Sequence, residues 1–468
     1  VSTTWAIARH MIAEGIRMKL ALVFLGLIGL VVLGLPFSIS GDSSLTGAVQ
    51  SFMSYGLSAT GVLLGLLTVF LSRSLANELV RRQILLVMTK PVPRWQYILG
   101  KWLGMTVLNA VLLTGVGLTI YGMVHYIKYT HPPIDDRYDE ASLNSEVLVA
   151  RHALKCRLPD FVRPAELELE RNIEEGLYDN VLVFNRTEEE ARLAKKYEAK
   201  WRVVGPGETR VFEFANVLCN RSRDKRVQIS YKTEVSQYPQ DEIFRALWQV
   251  GDPMKGTPVY SIPVRHVVGR YHTVDVPANA VAPDHTLTAY FRNENPFRGE
   301  PQYNNVIEFR KSNEVEVLFV VGSFEWNFVR LLVLMLCKLV FLAAVALLMT
   351  TVFSFPVACL VSFTVYVLAG AQSFIVGALD FSSDDFATMF TSLKDFFVQL
   401  LIHIYTMLQW VIPNFARYDA VESFVNGRNV SLVWVLQAVF WLVLVKTAIV
   451  LGLAILLFHR REVAEISV

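Results

Sequence analysis

Apolar positions in this chain fall into two long blocks, roughly residues 18–126 and 326–458, separated by a stretch from about Ile134 to Asn313 that is rich in Arg, Lys, Asp and Glu. Residues 18–39 hold the run LALVFLGLIGLVVLGLPF, and a helix of about 20 apolar residues is long enough to cross a hydrocarbon core. The same pattern predicts further spans over residues 52–71, 97–126, 326–353, 355–377 and 432–458, with the fourth and fifth divided at Ser354-Phe355-Pro356. Upstream of the first run, Trp5, Ala8, Ile12 and Ile16 share one helical face while Arg9, Glu14 and Arg17 lie off it. Residues 1–18 are therefore expected to lie on the membrane as an amphipathic helix; the stretch is longer and less simple than the n-region of a signal peptide. Residues 384–412 are apolar and aromatic but carry Lys394, Asp395 and His403, which suits one or two helices at or dipping into the outer interface.

The middle stretch has two textures. Its first part, about residues 140–205, is charged and helical in character, with Glu188, Glu189, Glu190, Arg192, Lys195 and Lys196 making a solvated face or an exposed helical arm. From Arg210 onward the apolar period changes to two, over residues 211–214, 227–235, 264–268, 271–276, 287–291, 306–309 and 315–321, with Gly, Pro, Asn and Asp between them. Short strands at such spacing predict an antiparallel β-sandwich, at about residues 208–322. The expected fold is thus an α-helical membrane protein with about six transmembrane helices: residues 19–126 hold the first three and residues 326–468 the rest. Between them, residues 127–325 form an inserted extracytoplasmic α+β domain.

Composition agrees. Of 468 residues 53% are hydrophobic and 18% charged, and the mean hydropathy is +0.39, against about a quarter charged in an ordinary soluble domain. A net charge of +2 with no basic, aromatic-interleaved patch excludes nucleic acid as a partner. Basic residues cluster at Arg9, Arg17 and Lys19, at Arg73, Arg81, Arg82, Lys90 and Arg94, and at Arg460 and Arg461. With six spans these fall on one side, which the positive-inside rule makes the cytoplasm. Both termini are then cytoplasmic and the large insert is outside.

Catalytic chemistry is sparse. No His-Glu-x-x-His or Gly-x-Ser-x-Gly motif is present, and Gly100-Lys101 is followed by Trp102 instead of the Ser or Thr of a P-loop. His266, His272 and His285 lie among the expected strands, where packed or surface histidines are commoner than ligands, and no metal or other cofactor is expected in this chain. Cys156 and Cys219 fall in the insert and are candidates for a disulfide if it faces an oxidising compartment. Lys338 and Lys446 lie inside apparent spans; a charge there costs roughly 2.5 to 3.5 kcal/mol on insertion scales, so each either faces a cavity or partner or snorkels along its stem.

The most informative segment is SRSLANELVRRQILLVMTKPVPRWQYILGKWLG, residues 72–104. The second span continues as an amphipathic helix, Pro91 and Pro93 stop it, and a new helix starts near Arg94. Such a basic, proline-broken elbow suits docking to a partner. Glu78, near a helix C-terminus, is expected to need a compensating cation, from Arg81, Arg82 or a partner.

Glu78, Leu85-Leu86, Pro91-Val92-Pro93-Arg94 and Gly100-Lys101, in this order, resemble the coupling elbow of type-II ABC exporter permeases, including the branch related to the copper-centre maturation permease of nitrous oxide reductase. Arg17-Met18-Lys19, Ile412-Pro413-Asn414-Phe415, Gly427-Arg428-Asn429-Val430 and Phe458-His459-Arg460-Arg461-Glu462 are similar to it as well. The resemblance implies a bacterial inner-membrane exporter permease, not itself an enzyme. Its partners would be two copies of a separate ABC ATPase and a second permease chain, identical or related. Glu78, Arg81, Arg82, Pro91, Pro93, Arg94 and Lys101 would be the ATPase-coupling residues. The insert of nearly two hundred residues departs from simpler members. Two other readings remain at this stage: a mechanotransmission subunit that moves the outer domain with nothing transported, and a plain membrane anchor for that domain.

Overall fold

The computed structural model describes residues 2–38, 45–80, 93–130, 140, 142–177, 185–219, 226–236, 243–294, 306–309, 314–384 and 413–460. Arg81, Arg82 and Pro91, and the interfacial helices expected up to residue 412, lie outside the described residues. In chain order the elements are α1 (Ser2–Arg17), α2 (Lys19–Ser38), α3 (Leu45–Leu71), α4 (Arg73–Val80), α5 (Arg94–Thr130), a π-helical turn (Leu143–Val147), β1 (Val149–Lys155), α6 (Val162–Glu174) and α7 (Arg186–Arg202). Strands β2 (Val203–Val204), β3 (Thr209–Phe214), β4 (Arg226–Lys232), β5 (Glu234–Val235), β6 (Ile243–Val250), β7 (Tyr260–Val267), β8 (Tyr271–Pro277), β9 (Leu287–Asn293), β10 (Ile307–Glu308) and β11 (Glu316–Ser323) follow. The chain ends with α8 (Phe324–Val352), α9 (Phe355–Asp384), α10 (Val421–Val425), α11 (Leu432–Ala438), a π-helix (Val439–Lys446) and α12 (Thr447–Arg460). These elements form two compact units, Val1–Ala150 with Ser323–Val468, and Arg151–Gly322.

The first unit is helical. By length and composition, Leu45–Val80, Arg94–Thr130, Phe324–Val352, Phe355–Gln372 and Leu432–Arg460 can each cross a membrane. Thr3–Arg17 and Ala21–Leu35, bent by 65°, add a sixth if the pair counts as one broken span. The bend falls where the amphipathic pattern of α1 gives way to the uniform apolar run of α2. Helix α8 is the centre of the bundle: Cys337, Leu339 and Leu342 to Leu347 are buried, and it packs against α3, α5, α9 and α12. At its start, Asn327 donates to the Arg428 carbonyl (2.9 Å) and accepts from the Val430 amide (2.7 Å), while Arg330 donates to Asn429 Oδ1 (3.0 Å) and the Val430 carbonyl (3.1 Å). The Gly427-Arg428-Asn429-Val430 motif is thereby a turn fastened to α8. The last span differs from its expected form, because Val439–Lys446 winds as a π-helix. Apolar periodicity does not register one extra residue in a turn.

The second unit pairs its strands in three sheets, ordered β1-β11-β4-β8, β2-β10-β5 and β3-β9-β6-β7. Alternation sets the inner faces: β6 buries Phe244, Ala246, Trp248 and Val250 while Arg245, Leu247 and Gln249 turn outward. Opposite them stand Val227, Ile229 and Tyr231 of β4, in the same core. Trp248 sits at the middle, its ring 4.9 Å from Phe291 and 5.1 Å from Tyr231. Two strands depart from the sequence-based expectation. Residues 149–155, expected in a helical part, form β1, and β6 extends a sheet in which no strand is expected between residues 235 and 264. Strand β6 closes at Gly251, whose φ of +122° and whose absent side chain suit the spot: a Cβ there would lie 2.1 Å from the Pro258 carbonyl oxygen.

Helices α6 and α7 pack on each other through Ala165, Leu169 and Leu193. Glu168 accepts from Lys196 (3.0 Å) and Tyr197 (2.5 Å), and these bonds hold its carboxyl below the usual range. Cys156 is buried in the β core and Cys219 packs against it, so both candidates for the disulfide belong to the same unit. Burial pushes the Cys156 thiol up to about 11.

Candidate functional site

Lys101 is the residue around which the elbow is organised. It lies in the second turn of α5 and its side chain is 1% exposed. Gly100 and Gly104 sit on the side of α5 that meets α1: a Cβ on Gly104 would lie 2.7 Å from the Ala8 carbonyl oxygen, and one on Gly100 2.8 Å from Ile7 Cβ. Two glycines at this spacing let the helix backbones touch, which brings Glu14 of α1 within reach of α5. On the other side, Ser74 and Glu78 are four residues apart on α4, hence on one face.

These three helices deliver four polar groups to one point. Lys101 Nζ donates to Glu78 Oε1 at 2.7 Å and to Ser74 Oγ at 2.7 Å, and lies 3.6 Å from Glu14 Oε2. Ser74 Oγ in turn donates to Glu14 Oε2. The Tyr97 ring, one turn back on α5, faces the ammonium at 5.8 Å and stacks on Phe458 of α12 at 6.0 Å. His10, Glu14 and Glu78 bring ligand atoms within 4.8 Å of one another, a spacing compatible with a metal, but the ammonium of Lys101 already supplies the cation between the carboxylates. A cavity of about 230 Å3, lined by Glu14, Met18, Lys19, Arg73, Ser74 and Asn77, adjoins the cluster.

Of the expected coupling residues, the structure thus joins Glu78 and Lys101 directly. Among the described residues the cation paired with Glu78 is Lys101, whose long side chain reaches it from α5; Arg81 and Arg82, the local candidates, lie outside the described residues. Pro93 immediately precedes α5, and Arg94 opens that helix. Arg94 Nη1 donates to the carbonyls of Phe458 (3.3 Å) and His459 (2.8 Å). A guanidinium at the C-terminus of α12 meets the negative end of its dipole, so Arg94 ties the elbow to the last span. Sequence reasoning missed Glu14 and Ser74. The signal for Glu14 was its place as the one carboxylate of an otherwise basic amphipathic helix; that for Ser74 was the four-residue offset from Glu78.

The two intramembrane lysines part company. Lys338, the middle residue of α8, has Asp419 Oδ1 3.6 Å from its Nζ and lines a cavity with Ser58, Gly61 and Tyr366. Lys446 ends the π-helix, is half-buried and does not line that cavity.

Among the histidines, His266 and His272 stack with rings 4.2 Å apart. Tyr231 Oη lies 2.8 Å from His266 Nδ1, and His272 Nε2 lies 2.7 Å from the Val267 carbonyl oxygen. Burial, then the neighbouring His272, lowers His266 from 6.5 to about 4; burial also lowers His272. A histidine depressed in the folded state contributes stability that is complete above 6.5 and is lost as pH falls toward 4. The melting temperature of the full chain's β unit is accordingly expected to fall by at least about 3 °C between those limits. A His266→Gln/His272→Gln variant should flatten that slope in pH-resolved thermal unfolding; an equal slope in the variant would assign the effect to other groups.

No curated protein matches this chain. Residues 5–148, which contain Glu14, Ser74, Glu78 and Lys101 together with most of α1 and helices α2 to α5, match the family described as ABC-2 family transporter protein, and this likeness supports a multi-pass transmembrane subunit of an ABC transporter.

Proposed function

We propose that the chain is the permease subunit of an ATP-driven ABC exporter, coupled through residues 72–104 to a separate ATPase, of which two copies would serve a pair of permease chains. The observation that carries this reading is the cluster of Glu14, Ser74 and Glu78 around the buried Lys101. A load applied to the elbow by a partner would reach α1, α4 and α5 at once, because one ammonium holds all three. An ordinary anchor has no need to bury a cation where the chain turns. The basic clusters flanking the spans support, for this reading, a cytoplasmic elbow and termini and an outer β unit, in a bacterial inner membrane.

Purification in mild detergent is expected to bring down an ABC ATPase whose hydrolysis the permease stimulates. Arg94→Ala removes charge-assisted bonds to two α12 carbonyls, each set worth roughly 1.5 to 3 kcal/mol, and frees the elbow from the last span. The variant should remain in the membrane and lose about tenfold or more of that stimulation. Wild-type co-purification and stimulation in Arg94→Ala would remove the elbow as the coupling site.

A further inference from the structure

The cavity at Lys338 has a composition that the coupling reading does not use. It holds about 170 Å3, below the roughly 300 to 1,000 Å3 of sites that enclose a whole drug-sized molecule, and about right for a small headgroup. Its walls are apolar at Met335 and Leu339, with the Ser58 hydroxyl beside them. The Tyr366 hydroxyl is engaged, donating to the Gly61 carbonyl at 3.1 Å. Two opposite charges stand side by side in this lining. Their 3.6 Å separation exceeds the roughly 2.7–2.9 Å of a tight ammonium–carboxylate bond, and Asp419 is 56% exposed, so neither charge is saturated by the other.

We propose that this cavity binds the headgroup of a zwitterionic amphiphile, a phosphate on Lys338 and an ammonium on Asp419, with its apolar chains outside along the helices. A purely anionic headgroup meets repulsion from Asp419, and a purely cationic one from Lys338. A headgroup carrying phosphate and ammonium one ethylene bridge apart satisfies both while remaining neutral, as an apolar surround demands. That the occupant is cargo rests on the transporter reading; that it binds does not.

The test uses the full-length protein in detergent, titrated with dihexanoyl phosphatidylethanolamine, dihexanoyl phosphatidylglycerol and free phosphoethanolamine, with bound ligand counted by native mass spectrometry. The zwitterionic lipid should bind at least about tenfold more tightly than the anionic one. Lys338→Met should lose about tenfold for the zwitterionic lipid, and Asp419→Asn should erase the difference between the two lipids. Equal binding of both lipids to the wild type, or an unchanged preference in Asp419→Asn, overturns the proposal. Phosphoethanolamine binding as tightly as the lipid overturns the amphiphile and leaves a soluble zwitterion. If Lys338→Met does not fold, Asp419→Asn decides alone, since Asp419 lies in an open position. No ATPase enters the measurement, so failure here leaves the elbow reading intact, and loss of the elbow reading leaves this binding result standing.

Discussion

Lys101→Met is expected to destabilise the helical unit by about 3 to 5 kcal/mol, the usual consequence of removing one partner from a buried ion pair and leaving the other charged. The variant keeps an unbranched apolar stem one atom shorter than the lysine's, so packing is little changed, and the loss comes from Glu78 and Glu14, which would face each other without the Lys101 cation between them. Glu78 suffers most, as its side chain is 14% exposed against 31% for Glu14, and its Oε2 has no hydrogen-bond partner among the described residues. Adding Glu78→Gln to Lys101→Met should recover a large part of the loss, whereas Glu78→Gln alone should cost less than Lys101→Met. Thermal unfolding in detergent of the two single variants and the double variant gives the coupling energy. Additive effects would mean that the two side chains do not act as a pair.

Gly104→Leu should release α1 from α5. The new Cβ alone would sit 2.7 Å from the Ala8 carbonyl oxygen and 2.7 Å from Met11 Cβ; the obstacle on one side is backbone, which has no rotamer to change. Overpacking of this kind commonly costs about 1 to 3 kcal/mol or more, and here relief comes only by moving the whole helix, which carries Glu14 away from Ser74 and Lys101. A cysteine placed at Ala8, fully buried in the native structure, should become many times more reactive to maleimide. Gly115 lies on the same helix with nothing within 4 Å of its Cβ position, so Gly115→Leu is the matched control. Equal labelling in the two variants would show that α1 is not held by this contact.

Much of the membrane architecture was legible because twenty-residue apolar runs have few alternatives. The start of α5 at Arg94 was legible too, since a helix begins readily just after Pro93. The interior of the elbow was not. Periodicity places Glu78 and Ser74 on one face of α4, and Gly100 and Gly104 let α1 approach α5, but distances between helices are not written in any one helix. Lys338 was legible as an anomaly, a charge in an apolar run, while its partner Asp419 reads in sequence as an ordinary loop aspartate. Strands β1 and β6 were missed because ARHALK and RALWQV mix alanine, leucine and charged residues that serve equally well in helices; pairing with β11 and β9 decides their conformation.

Strands β1 and β11 open and close the β unit, and they are neighbours in one sheet. A module whose two ends leave side by side closes over a short gap, so joining it into a loop between two spans carries little entropic cost. The insert therefore has the geometry of a cassette: it can be gained, exchanged or excised in evolution as a unit while the spans on either side keep their own sequence neighbours. A chain of this form can change its second unit without redesigning the helices of the first.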